Sequence, residues 1–218
     1  MAAEPTFTIR PYEPSDWADV GRVCVLTGAS GSDATGQYAS DELLPAIYAY
    51  PYVQHDPELA WVVEMEDEGI TSVVGYVLGT ADVTAFVRWW KTEWTPLYED
   101  LLPVDGSWTS ADRAMRRRGE QPETQVTRFA ADYPAELHID LLPEAQGRGL
   151  GRSLIRVFAR AVWARGVRKL ALGVGGENRG AQAFYQRLGF YPLAEEFSPE
   201  GELLGARLGL DVREFLEA

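Results

Sequence analysis

One cysteine, two histidines and three methionines are all that this sequence of 218 residues offers in soft or imidazole ligands. A lone Cys24 cannot close an internal disulfide, and with so few partners a Cys/His zinc cluster is excluded, so no metal is expected. Its neighbours Val23 and Val25 mark Cys24 as a core residue rather than a nucleophile. No apolar run reaches the roughly 18 residues that a membrane span requires. The start, Met-Ala-Ala-Glu-Pro, has neither a basic nor an apolar leader region, so a cytoplasmic protein with no membrane partner is expected. Basic residues are also scarce, 20 against 33 acidic for a formal net charge of -13, which argues against nucleic acid as a partner.

What is there is a hydrophobic content of 46%, enough to bury a real core. Between Ala145 and Lys169 seven basic residues stand with no acidic one, while the rest of the chain carries 13 basic against 33 acidic. An anionic ligand therefore finds its welcoming region there, and a cationic amine is drawn to the remaining surface. That region follows an apolar strand, His138-Ile-Asp-Leu-Leu-Pro143, and holds glycines at alternate positions, Gly147, Gly149 and Gly151, before a run with helical apolar spacing. Strand, tight loop and helix start follow from this pattern. Glycines let the backbone approach a ligand, and the first amides of a helix lack internal partners, so the loop can cradle a pyrophosphate. A Walker loop is excluded because no lysine follows the glycines, and a dinucleotide fingerprint fails because Arg152 stands where the third glycine belongs.

Gln146-x-x-Gly149-x-Gly151 resembles the signature of the GNAT acetyltransferase superfamily, and a second motif follows about thirty residues on. There Asn178 caps a short amphipathic run, Ala181 to Arg187 with Phe184 and Tyr185, which Leu188-Gly189-Phe190 closes. Within the superfamily, Tyr76 to Asp82, Trp94-x-Pro96, His138 to Pro143 and Phe184-Tyr185 with Leu188-Gly189 are similar to the acetyltransferase-like domain of O-GlcNAcase and its stand-alone bacterial relatives. The resemblance implies a GNAT fold, α/β with a mixed, mostly antiparallel central sheet between helices, and one domain over residues 1–218. It implies acetyl-CoA, held by Leu141, Leu142, Gln146, Gly147, Arg148, Gly149, Leu150, Gly151, Arg152, Asn178, Phe184, Tyr185 and Arg187. The implied activity is transfer of acetyl to a small-molecule or peptide amine. The alternative is a non-catalytic acyl-CoA-binding module that recognises a protein partner.

Against a minimal acetyltransferase, about fifty residues are inserted at 83–134, with Trp89, Trp90, Trp94 and Trp108, four of the seven tryptophans. They either pin the insertion to the domain or form an acceptor pocket. Tyr185 is the candidate acid for the departing sulfur, unless it only packs the core. Glu136, His138 and Asp140 share one parity of their strand, so His138 and Asp140 either relay a proton from the amine or belong to a structural hydrogen-bond network. Asp82 is a substrate-side candidate. Arg156 and Arg160 read as contacts or as a solvated helix face, and residues 28–36 as a gate or a surface loop.

Overall fold

The computed structural model describes residues 4–218. Thr6–Pro11 (β1) leads through a short turn into Trp17–Thr27 (α1), whose Val20, Val23, Cys24 and Thr27 are buried. The sequence predicts a helix from Ser40 to Tyr50. Two short ones stand there instead, Pro45–Tyr48 (α2) and Tyr50–His55 (α3), broken at Ala49. Pro51 occupies the first turn of α3 rather than ending the preceding helix, because a proline there forfeits only an amide hydrogen that has no partner anyway. The turn chemistry of Glu66-Asp-Glu-Gly69 predicts a hairpin, and Ala60–Asp67 (β2) and Ile70–Thr80 (β3) form it, with Asp67 facing Ile70 across a two-residue turn.

Between β3 and Ala135–Leu141 (β4) lie Val83–Trp89 (α4), a wider turn over Trp90–Trp94, Tyr98–Leu101 (α5) and Ser110–Glu120 (α6). Trp90, Trp94 and Trp108 are buried. Trp94 Nε1 and Tyr98 Oη both donate to the Ala46 carbonyl, at 2.9 and 3.1 Å. Trp90 meets Tyr52 edge to face. These rings clamp the segment onto α2 and α3. The basic run of α6 is not uniformly solvated, for Arg116 is buried, its Nη1 donating to the Leu102 carbonyl and its guanidinium pairing with Glu99 and Glu120.

The chain ends as Leu150–Ala164 (α7), Lys169–Gly175 (β5), Arg179–Arg187 (α8), Tyr191–Phe197 (β6), Leu203–Asp211 (β7) and Val212–Glu217 (α9). Seven strands make one sheet in the order β1-β2-β3-β4-β5-β7-β6. All neighbours are antiparallel except β4 and β5. That one parallel pair is in register only at Ala135 with Leu170 and Glu136 with Ala171, so the two strands diverge beyond them. Alternation along β3 separates the two faces. Gly79 lets Phe158 of α7 lie against the backbone, where a Cβ would come within 2.5 Å of the ring. Tyr76, of the other parity, points to the face that α1 covers. The diverging strands thus open a gap between α7 on one side and α1 on the other.

Candidate active site in the gap between the parallel strands

Main-chain groups line the β4 side of the gap. The Leu142 amide donates to the Val74 carbonyl at 2.8 Å, and its carbonyl accepts from Ala145 at 2.9 Å. The Leu142 amide is therefore committed to the sheet, and its carbonyl keeps one lone pair beyond the bond from Ala145. Successive residues of an extended strand turn their N–H and C=O to alternate sides, so Leu141 and Ile139 face β5, where pairing has ceased. The Leu141 carbonyl accepts from Gln146 Nε2 at 2.8 Å, which ties the start of the glycine loop to the strand end. Ile139 was not among the expected site residues; its parity with Leu141 is the signal that pointed to it.

The loop itself is a bed of donors. Gly147 and Gly149 take φ of 72° and 78°, left-handed values that an L side chain resists, and a Cβ at either would meet nothing within 4 Å. Among the described residues, the amides from Gly147 to Arg152 donate to no carbonyl or side chain, while Ser153 already bonds back to Gly149. The partial positive charge of the α7 N-terminus adds to them. Arg148 joins by its amide alone: its Nε donates to the Glu144 carbonyl at 2.8 Å and its guanidinium covers Phe7 of β1, on the far side from β5. Arg152 leans toward Phe215 of α9. Arg156 donates to the Leu216 carbonyl at 2.7 Å, binding α7 to α9, and Arg160 is exposed. The free donors at this loop are main-chain groups.

Across the gap stands α8. Asn178 caps it, Oδ1 accepting from the Ala181 amide at 3.0 Å, which leaves Nδ2 with both hydrogens to give. The 28–36 loop comes close to this group, a Cβ on Gly31 lying 3.5 Å from Nδ2. Phe184 lies over Gly151, where a Cβ would sit 2.9 Å from the ring tip, so the start of α7 and α8 pack closely. Tyr185 is buried against Phe184 and Phe190. Its hydroxyl has no hydrogen-bond partner among the described residues. Burial, with the nearby Asp140 charge adding to it, pushes the phenol well above its ordinary range and keeps it protonated. Arg187 is exposed at the far end of α8, about 14 Å from Asn178 at 1.5 Å per residue.

The ionisable parity of β4 is partnered residue by residue. Arg207 of β7 grips Glu136 with both terminal nitrogens at 2.8 Å, in a largely buried pair. His138 Nε2 lies 3.0 Å from Tyr52 Oη, itself 3.2 Å from Gln125 Oε1. Burial lowers the His138 pKa, against the pull of Glu136 and Asp140, and favours the neutral ring. Tyr76 Oη donates to Asp140 Oδ2 at 2.5 Å. Burial pushes the Asp140 carboxyl up, with Tyr76, His138 and Thr27 opposing it. Asp140 lies near enough to Tyr185 for its charge to act on the phenol, and His138 is one step along the same face of β4. Asp82 does not join them. It caps α4, accepting from Thr84 and Ala85 at 3.0 Å, and the Val83 amide bonds Pro134 at the entrance to β4. The full strand, about 20 Å at 3.3 Å per residue, separates it from Leu141.

Comparison with known proteins agrees with this geometry. The chain is 26% identical over 215 residues to the protein O-GlcNAcase of Rattus norvegicus, an alignment covering 93% of this chain and 22% of that one, so the chain spans about a fifth of the length of that relative. A stretch of 52 residues, 24% of this chain and 18% of the other, is 50% identical to the mycothiol acetyltransferase of Beutenbergia cavernae. The crystal structure of SsHAT superposes with a TM-score of 0.83 at 39% identity, over 95% of this chain and 98% of that one. The acetyltransferase (GNAT) family profile matches residues 32–190, which include the glycine loop, the strand before it and α8. Family profile, strand gap and donor-lined loop agree: the chain belongs to the acetyltransferase (GNAT) family.

Proposed function

We propose that this enzyme transfers acetyl from acetyl-CoA to a primary amine by direct attack, in one domain whose residues 83–134 are an insertion. The fit of the carrier rests on the free amides from Gly147 to Arg152 beside an open left-handed turn, a set of donors suited to a diphosphate. When bound, acetyl-CoA supplies an activated acetyl carbonyl and a thiolate leaving group. The chain does the rest. Asn178 Nδ2 bonds the pantetheine arm, and the free β4 amides of Ile139 and Leu141 orient the thioester and polarise its carbonyl. A lysine-type amine has a pKa of about 10.4, so a proton must be removed before or as the amine attacks. Asp140 accepts that proton, with neutral His138 able to pass it onward through water. Tyr185 gives its proton to the sulfur.

The observation that carries this reading is the convergence of Asp140, Tyr185 and the donor-lined loop on the one gap in the sheet. Incubation with acetyl-CoA and an amine panel (a lysine peptide, a peptide with a free N-terminus, spermidine, an aminoglycoside and glucosamine), with free thiol followed, tests it. Thiol release with at least one amine is expected, rising with pH along an acidic limb above the ordinary aspartate value of about 3.9, because burial raises the Asp140 pKa. CoA binding without transfer to any amine would instead support the module that recognises a protein partner. No heat on titration with CoA would sink both.

Gly149→Ala tests the cradle by itself. An L side chain held at φ 78° costs about 1–2 kcal/mol, and relief by turning the amides away loses their donors. Calorimetry is expected to show CoA affinity reduced about tenfold, with the thermal melt lowered by about 2–8 °C. An unchanged affinity would place the diphosphate elsewhere.

A further inference from the structure

We propose that Tyr76 is a positioning residue for the transfer: its buried hydroxyl, 2.5 Å from Asp140 Oδ2, holds that oxygen and turns Oδ1 toward the acceptor amine. The inference rests on the reading of Asp140 as the proton acceptor. Tyr76 lies in the middle of β3, directly opposite Asp140 in the register, and is 0% exposed. Its ring is locked between neighbouring strands and α1, so the hydroxyl has little freedom to leave the carboxyl. A buried phenol needs a partner for its hydrogen, and the carboxylate supplies it.

The groups around Asp140 show why this contact matters. Tyr76 faces it from β3, Cys24 and Thr27 from α1, Tyr185 from α8 and His138 from its own strand. No lysine or arginine among the described residues pairs with it. The Thr27 hydroxyl lies 2.8 Å from the Val23 carbonyl, which competes with the carboxyl for its hydrogen. With no cation at hand, hydrogen bonds must hold the charged carboxylate against burial, and the Tyr76 bond is the short one. In the transfer, the nitrogen–carbon bond forms as the carbon–sulfur bond breaks. The amine proton passes to Oδ1 and the Tyr185 proton to sulfur. A carboxyl already protonated cannot take part.

Carboxyl-carbon NMR titration of the full chain tests this directly, with Asp140→Asn identifying the resonance. Tyr76→Phe keeps the ring and removes the donor. It is expected to raise the Asp140 midpoint by about one pH unit and to move the acidic limb of kcat/KM upward by the same amount. Incorporation of 3,5-difluorotyrosine at position 76, a stronger donor with the fold undisturbed, is expected to move the midpoint downward. An Asp140 midpoint unchanged in both variants overturns the proposal. Two failures stay distinct. If Asp140→Asn retains wild-type turnover, the base reading falls and takes this proposal with it. If Asp140→Asn loses turnover while the midpoint ignores position 76, Tyr76 alone is removed from the mechanism.

Discussion

Tyr185→Phe is expected to lower turnover by about 10²- to 10⁴-fold, the range of a lost general acid, while CoA binds as before. The phenol is the buried proton donor that α8 brings to the gap, and burial together with the Asp140 charge keeps it protonated at any pH the protein tolerates. Its hydroxyl has no hydrogen-bond partner among the described residues, so removing one oxygen breaks no hydrogen bond there. Phenylalanine retains the contacts with Phe184 and Phe190, whose ring centres lie 5.3 and 5.2 Å away. The thermal melt should therefore stay where it was. Steady-state kinetics with calorimetric titration of CoA separates chemistry from binding. Turnover within threefold of wild type would remove Tyr185 from the proton path and leave it as a packing residue.

Arg207→Met is expected to produce the largest loss of stability, about 3–5 kcal/mol, because Glu136 would remain buried with its charge uncompensated. At roughly 2–4 °C per kcal/mol for a chain of this size, the melt should fall by about 10 °C. Arg207 reaches from β7 across β5 to Glu136 on β4, at the last residue where β4 and β5 are in register. The pair therefore ties three strands together at the point where the gap begins. Replacing Glu136 by leucine in the same chain removes the stranded charge, and most of the stability should return, since an apolar pair of similar volume often equals a buried ion pair. Thermal unfolding of the single and double variants checks this. A melt for Arg207→Met within about 2 °C of wild type would mean that water reaches Glu136 and screens it.

The glycine loop and the Asn178 helix were legible in the sequence because their chemistry is local. A left-handed turn needs glycine at positions 147 and 149, a helix start frees its own first amides, and an asparagine caps the residues just after it. The strands were legible from parity and the hairpin from its turn residues. The α2–α3 break at Ala49 was hidden because proline fits either after a helix or inside its first turn, and packing under the tryptophans chose the second.

Side-chain partners were another matter. Parity alone put Glu136, His138 and Asp140 on one face, yet gave no sign that the first would meet Arg207, the second Tyr52 and the third Tyr76. Each of those contacts joins residues more than sixty positions apart. The same holds for Leu142, whose amide is claimed by Val74, and for Arg148, drawn to Phe7. By itself the chain determined the left-handed turn and the free amides at the start of α7, since both use backbone shaped by adjacent residues. Only the tertiary structure decided which ionisable groups reach the gap and in what state, because proton affinity depends on burial and on neighbours that strand order alone brings together.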